Sequence, residues 1–371
     1  MIKKKKIIFI SIYIVLLFIL FEGTARLVFS NTNLAKRIWV DENLSWRRSW
    51  VQRHKDTGKQ IYYTFDTYDS TKGWVSKPNL RDMPVFDNKV LNTNSKGFRG
   101  LTEYPYSKDK DKIRILVIGD SYTFGEEVSD NETYPFYLQE LIPNSEVMNL
   151  GMHGYGHDQM LIFLKEEGIK YKPDIVILGF IHPDMTRNMV NFRDYAKPKF
   201  ELNDKGLKLT ATPVPSLEQT LKWDWIRPRI IDVVSILHHN YRNRTGLYDK
   251  EKDDLTTAIL TEIIAQADNI QAAPLFVYIP IIPEITSNDF MTPGEKYLSN
   301  VCKSSENVSY LSTRPYFMSK LKKGVTFKKS GHWGPSGNLA IAEAIKQFLF
   351  ENGYITLQDN NNQISVLKPI K

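Results

Sequence analysis

Ile113-Arg114-Ile115-Leu116-Val117-Ile118-Gly119-Asp120-Ser121 is the stretch that decides the fold of this chain. A run of Ile, Val and Leu closed by turn residues predicts a buried strand over Ile113–Ile118. In an open parallel sheet, ligands bind in the crevice outside the carboxyl ends of the strands. Ser121 stands just past such an end, with Tyr122-Thr123-Phe124-Gly125 behind it as the start of a helix, so its hydroxyl is a candidate nucleophile. Gly-Asp-Ser is also ordinary turn chemistry, and Asp120 reads first as a carboxylate that stabilises the turn. The serine therefore needs a base from elsewhere in the chain.

Outward from this stretch, strands and helices alternate. Helices are expected at Tyr134–Leu141, Asp158–Glu167, Leu255–Ala267, Glu295–Val301 and Ser336–Leu349. Strands are expected at Val147–Leu150, Asp174–Ile181, Leu275–Pro280 and Val308–Leu311. The near-continuous apolar run of Asp174–Ile181 is what a parallel sheet buries on both faces. This alternation predicts an α/β fold, a three-layer α/β/α sandwich around a parallel sheet. Asn191 to Asp253 is too long for a connection and reads as an insertion, helical around Ile230–His239. Its His238-His239 pair points to two sides of a helix and suits one metal ion badly. Residues 31–110 read as an irregular N-terminal subdomain, 111–355 as the main domain and 356–371 as a polar tail, mobile from Asp359 to Lys371.

The 371 residues carry a formal charge of +7, of which Lys3 to Lys6 supply four. The remaining +3 is spread through the body without a basic stripe interleaved with aromatics, so nucleic acid is not an expected partner. Those lysines precede Ile7 to Phe21, an uncharged apolar run of about 15 residues that a helix can continue through Glu22 and Arg26. The reading is an uncleaved signal-anchor helix over residues 1–30, preferred to a cleaved signal peptide because no small-residue cleavage site follows the run directly. The positive-inside bias keeps the lysines cytoplasmic and sends the rest of the chain across the membrane, to the periplasm or beyond the cell. Cys302 is the single cysteine. An intramolecular disulfide is thereby ruled out, and the thiol reads as a small buried hydrophobe.

The base is supplied near the C-terminus. Ser330-Gly331-His332-Trp333-Gly334-Pro335-Ser336 leads into the last helix, with Pro335 a normal first-turn residue. A serine hydroxyl becomes a good nucleophile when an imidazole takes its proton. Acyl transfer also needs N–H donors for the oxyanion. Asn149-Leu150-Gly151-Met152-His153-Gly154-Tyr155-Gly156 offers backbone donors in a glycine-rich turn after the second strand.

With these residues the chain resembles the SGNH (GDSL-type) hydrolases, in their membrane-anchored, exported branch. Gly119-Asp120-Ser121 resembles the block that carries the nucleophile, Gly151-Met152-His153-Gly154 the second block, and Gly331-His332-Trp333 the last. The resemblance spans about residues 113 to 353, and the lead-in at Gly73-Trp74 and Asn94 to Gly100 is similar to that of anchored members. It implies Ser121 and His332 as catalytic residues, and the N–H groups of Ser121 and Gly154 as the oxyanion hole. Asp120, His153, His182, Asp184 and Trp333 would line the site, with an indole at Trp333 able to stack on a sugar if exposed. No metal or organic cofactor is implied.

Two positions depart from the family pattern. Pro183 stands where the third block has an oxyanion-donating Asn, which leaves His182, Asn188 or water to replace it. Lys329 and Ser330 stand where the last block carries its acid. The activity implied is esterase or deacylase chemistry on O-acyl groups, such as acetyl, of envelope or extracellular carbohydrate. An O-acyltransferase using the same serine, or an inactive binding or structural protein on the same fold, are the alternatives.

Overall fold

The computed structural model describes residues 2–30, 42–57, 64–358 and 363–366. Five strands form its central sheet: β1 (Ile113–Gly119), β2 (Ser145–Gly151), β3 (Ile175–Phe180), β4 (Ala273–Tyr278) and β5 (Ser309–Ser312). All four neighbour pairs are parallel, in the order β5-β4-β3-β1-β2. This is the doubly wound arrangement in which strand order reverses at β1 and β3. The architecture is the expected three-layer α/β/α sandwich.

Alternation along β1 builds the two outer layers. Ile115 and Val117 join a core with Tyr134 and Leu138 of helix Tyr134–Leu141 and with Ile341 and Ile345 of helix Pro335–Glu351. Leu116 and Ile118 are buried on the opposite face. There Leu164 of helix His157–Glu166 and Leu116 close around Gly168, and the His157 ring stacks on Phe180. Each Leu, Ile or Phe buried this way contributes about 1.5–3 kcal/mol. Close approach at the strand ends demands small residues: a Cβ on Gly151 would lie 2.3 Å from the Phe124 nitrogen.

The chain divides into two compact units, residues 62–189, 197–214 and 252–371 in one, residues 1–61, 190–196 and 215–251 in the other. The first holds the sheet together with two antiparallel hairpins, Asp66–Asp69 with Gly73–Ser76 and Met83–Val85 with Lys89–Leu91. The segment read as an insertion is therefore shared. Its hairpin Lys199–Asn203 with Gly206–Thr210 belongs to the sheet unit, whereas helices Leu217–Ile226 and Ile230–Arg244 belong to the other.

That second unit also contains helix Ile2–Ser30 and helix Glu42–Thr57. The helical segment Lys4–Ser30, 27 residues, is long and apolar enough to cross a membrane. In the C-terminal tail Ile355–Gln358 pairs with Gln363–Val366 as a hairpin, where a mobile tail was expected. The rest of that tail, and residues 31–41 and 58–63 of the N-terminal segment, lie outside the described residues.

Candidate active site

Ser121 opens a one-turn helix, Ser121–Phe124, whose cap is Asp120. The Asp120 carboxylate accepts from the Tyr122 N–H at 3.0 Å, lies 3.1 Å from Ser121 Oγ, and pairs with Arg187 at 3.2 Å. It acts as the turn-stabilising group that its position in the sequence implies, while also touching the Ser121 hydroxyl. His332 comes from the loop before helix Pro335–Glu351 and places Nε2 2.8 Å from Ser121 Oγ. The two residues, 211 positions apart, thus meet at hydrogen-bond distance. The Tyr122 ring packs against the imidazole, with centroids 4.8 Å apart.

An acid faces the other ring nitrogen, and it comes from a place the sequence did not indicate. Glu127 Oε1 lies 3.3 Å from His332 Nδ1. That is a little beyond the usual 2.7–3.2 Å range, and catalytic hydrogen bonds commonly tighten when substrate binds. Glu127 adopts φ 67°, a left-handed conformation uncommon for a residue with a side chain. Opposite it, Gly331 has φ 77°, and a Cβ there would stand 2.7 Å from both carboxylate oxygens. Gly331 therefore makes room for Glu127, and Lys328 pairs with the same carboxylate.

Its neighbour Glu126 puts Oε2 3.0 Å from His332 Nε2. A neutral imidazole protonated on Nδ1 has only a lone pair at Nε2, so this contact is favourable once Nε2 carries a proton. The loop is pinned from the N-terminal segment. Buried Arg99 donates to the carbonyls of Phe124, Gly125 and Val128 at 2.9, 2.7 and 2.7 Å and to Asp130 at 2.8 Å. The adjacent carboxylates after Gly125 were the available signal in the sequence for this loop; nothing local marked Arg99 as its clamp.

Gly154 sits in the turn after β2 with φ 72°. Among the described residues, neither its N–H nor that of Ser121 has a protein acceptor. This turn is tied to the Ser121 turn by Met152 N–H to Gly119 O at 3.1 Å and Asn149 Nδ2 to Thr123 O at 2.9 Å.

The other residues expected to line the site have different partners. His153 is buried behind Glu126, with Nε2 2.6 Å from Asp66 and Nδ1 3.9 Å from Glu126. Asp184 pairs with Arg187 at 2.6 Å. His182 packs on Gly294, where a Cβ would meet its own Cβ at 2.6 Å. Burial and then Lys252 lower its pKa, against the pull of Glu284 and Asp253. Asn188 cannot replace the missing third oxyanion donor: its amide is committed to Thr256, His157 and the Asp158 N–H. Trp333 is buried, donates to Pro280 O at 2.9 Å and packs on Phe317 and Phe327, so it offers no exposed platform to a sugar.

The insertion's His239 takes Asn243 as a partner at 2.9 Å, and Cys302 is a buried thiol whose pKa burial pushes up to about 12. Among the described residues, no group of three His, Cys, Asp or Glu side chains has the arrangement to hold a metal ion.

No family model matches the chain, and no curated protein does. Similarity to solved structures is found. TesA is 12% identical, over 64% of this chain and 98% of that one, with a TM-score of 0.38. Axe2, an acetylxylan esterase from Geobacillus stearothermophilus, is 14% identical over 63% and 93%, with a TM-score of 0.37. A two-domain esterase (CEX) active on acetylated mannans is 11% identical over 70% and 53%, with a TM-score of 0.37. The solved structures to which this chain is similar thus include an acetylxylan esterase and an esterase active on acetylated mannans.

Proposed function

We propose that this chain is a serine esterase that removes O-acyl groups, acetyl among them, from carbohydrate outside the cytoplasmic membrane. The observation that carries the reading is the 2.8 Å contact between Ser121 Oγ and His332 Nε2, with Glu127 on the far nitrogen. The carbohydrate substrate and the exported location rest on the resemblance of the sequence blocks and on the apolar helix Lys4–Ser30.

In this mechanism the imidazole begins neutral, with its proton on Nδ1 directed at Glu127. Nε2 accepts the Ser121 proton as Oγ bonds to the acyl carbon. The oxyanion receives the N–H groups of Ser121 and Gly154. The imidazolium then stands between two carboxylates, Glu127 3.3 Å from Nδ1 and Glu126 3.0 Å from Nε2. Nε2 returns its proton to the sugar oxygen as the ester C–O bond breaks, leaving acyl-Ser121. Water, deprotonated by the same nitrogen, releases the carboxylic acid and restores the hydroxyl.

Glu127 replaces the acid absent before His332. That weakens the inactive alternative, because an orienting acid can be worth about 10⁴ in rate in the serine-protease template. The test is labelling by a serine-directed fluorophosphonate together with turnover of p-nitrophenyl acetate. Labelling and turnover should both disappear in Ser121→Ala, and turnover in His332→Ala. Equal rates for wild type and Ser121→Ala would overturn the proposal. A glycan acceptor that diverts the acyl group from water would identify the transferase instead.

A further inference from the structure

Helices Leu217–Ile226 and Ile230–Arg244 expose an apolar surface that the esterase reading does not use. Trp225 is 80% exposed, Leu237 64% and Tyr241 61%, with Trp223, Ile226 and Val234 exposed beside them. Val234, Leu237 and Tyr241 follow helical spacing and so form one stripe. Left in water, an apolar stripe of this kind is unfavourable, and such surfaces mark interaction sites.

Its position along helix Ile2–Ser30 indicates what covers it. From Ile7 to Arg26 that helix rises about 30 Å, the thickness of a bilayer's hydrocarbon core. Glu22 accepts from the Ile230 N–H at 3.1 Å, and Arg26 donates to Arg227 O at 3.4 Å. The turn between the two exposed helices is thereby held at the level where the apolar run ends. Beyond it the helices stay in contact: Ala25 and Phe29 share a core with Ile236, beside an apolar cavity of about 330 Å³.

Trp and Tyr are the residues that bilayer interfaces favour. Exposed Lys222 and Arg244, one on each of the two helices, carry charge suited to anionic head groups.

We propose that this surface lies in the outer interface of the bilayer that helix Ile2–Ser30 crosses, so that the unit rests on lipid as well as being tethered to it. The inference depends on that helix spanning the membrane and is independent of the esterase chemistry.

The test uses the full chain in vesicles of phosphatidylcholine and phosphatidylglycerol. An environment-sensitive fluorophore is attached at Trp225→Cys or Leu237→Cys; the buried, high-pKa Cys302 leaves the new thiol as the reactive one. The expected result is blue-shifted emission that doxyl lipids quench and iodide does not. Emission quenched by iodide alone, with a probe at Ile14→Cys quenched by lipid, overturns the proposal while retaining the anchor. Iodide quenching at Ile14→Cys as well overturns the anchor and this surface together. Shielding from both quenchers with concentration-dependent self-quenching also overturns it, in favour of a second copy. Turnover of p-nitrophenyl acetate in the same vesicles reads the esterase proposal separately.

Discussion

Glu127 Oε1 faces His332 Nδ1 at 3.3 Å from within the loop that begins at the one-turn helix of Ser121. The carboxylate that faces this imidazole therefore follows Ser121 by six residues instead of preceding His332.

If Glu127 holds the imidazole in its productive tautomer, Glu127→Gln should lower kcat/KM by about 10²- to 10⁴-fold, the upper figure being that for the orienting Asp of serine proteases. Glu126→Gln should cost less, because Glu126 meets Nε2 and only after that nitrogen is protonated. Steady-state hydrolysis of p-nitrophenyl acetate compares the two. Wild-type rates in Glu127→Gln would remove this residue from the mechanism.

Gly331→Ala should damage the same contact from the other side. The left-handed backbone costs an alanine roughly 1–2 kcal/mol, and its Cβ would press on both Glu127 oxygens at 2.7 Å. Lower thermal stability and a loss of kcat approaching that of Glu127→Gln are expected. Gly334→Ala is the control, since nothing lies within 4 Å of a Cβ there. Equal activity for the two variants would contradict the packing account.

Arg99→Lys retains a positive charge near Asp130 but cannot reach the carbonyls of Phe124, Gly125 and Val128 together. Each buried acceptor left unpaired costs about 1–3 kcal/mol. A lower urea midpoint should accompany reduced kcat in the fraction that remains folded, because the loop carrying both glutamates loses its clamp. A folded Arg99→Lys protein with unchanged kcat would mean that the clamp serves stability alone.

His157 gives a pH dependence with a definite sign. Burial first, and then Arg187, push its pKa down to about 3 from the ordinary 6.5. The unfolded chain therefore takes up a proton below pH 6.5 that the folded protein refuses until about pH 3. Stability from this group is complete above pH 6.5 and falls through that window by at most about 1.4 kcal/mol per pH unit. Urea midpoints at pH 7 and pH 5 should differ less in His157→Asn than in wild type. Parallel pH profiles would refute the assignment.

The sequence made the sheet readable because its strands are buried on both faces and show as apolar runs. β1 and β3 emerge within one or two residues of Ile113–Ile118 and Asp174–Ile181. Helix Tyr134–Leu141 matches its expected bounds, while Leu247–Asn269 extends well past Leu255–Ala267 where exposure ends the apolar signal. Ser121 and His332 were legible because each sits at a punctuated strand or helix end. Glu127 and Arg99 were not, since their partners lie far away in sequence and no periodicity records such contacts. Trp333 illustrates the converse: its neighbour is a catalytic candidate, yet its own indole is directed to Pro280 and the core.

Ser121 and Glu127 belong to one short turn-and-loop segment, fastened at one end by Asp120 and at the other by Arg99. In the proposed mechanism, a displacement of that segment would carry both members together and preserve their spacing. His332, arriving on a separate loop, is then the one element whose registration decides whether the site is assembled. Ligands or substitutions that shift the Lys328–Gly331 approach would act as an on-off control of the reaction, through His332 and through the Glu127 carboxylate that Lys328 pairs with and Gly331 makes room for.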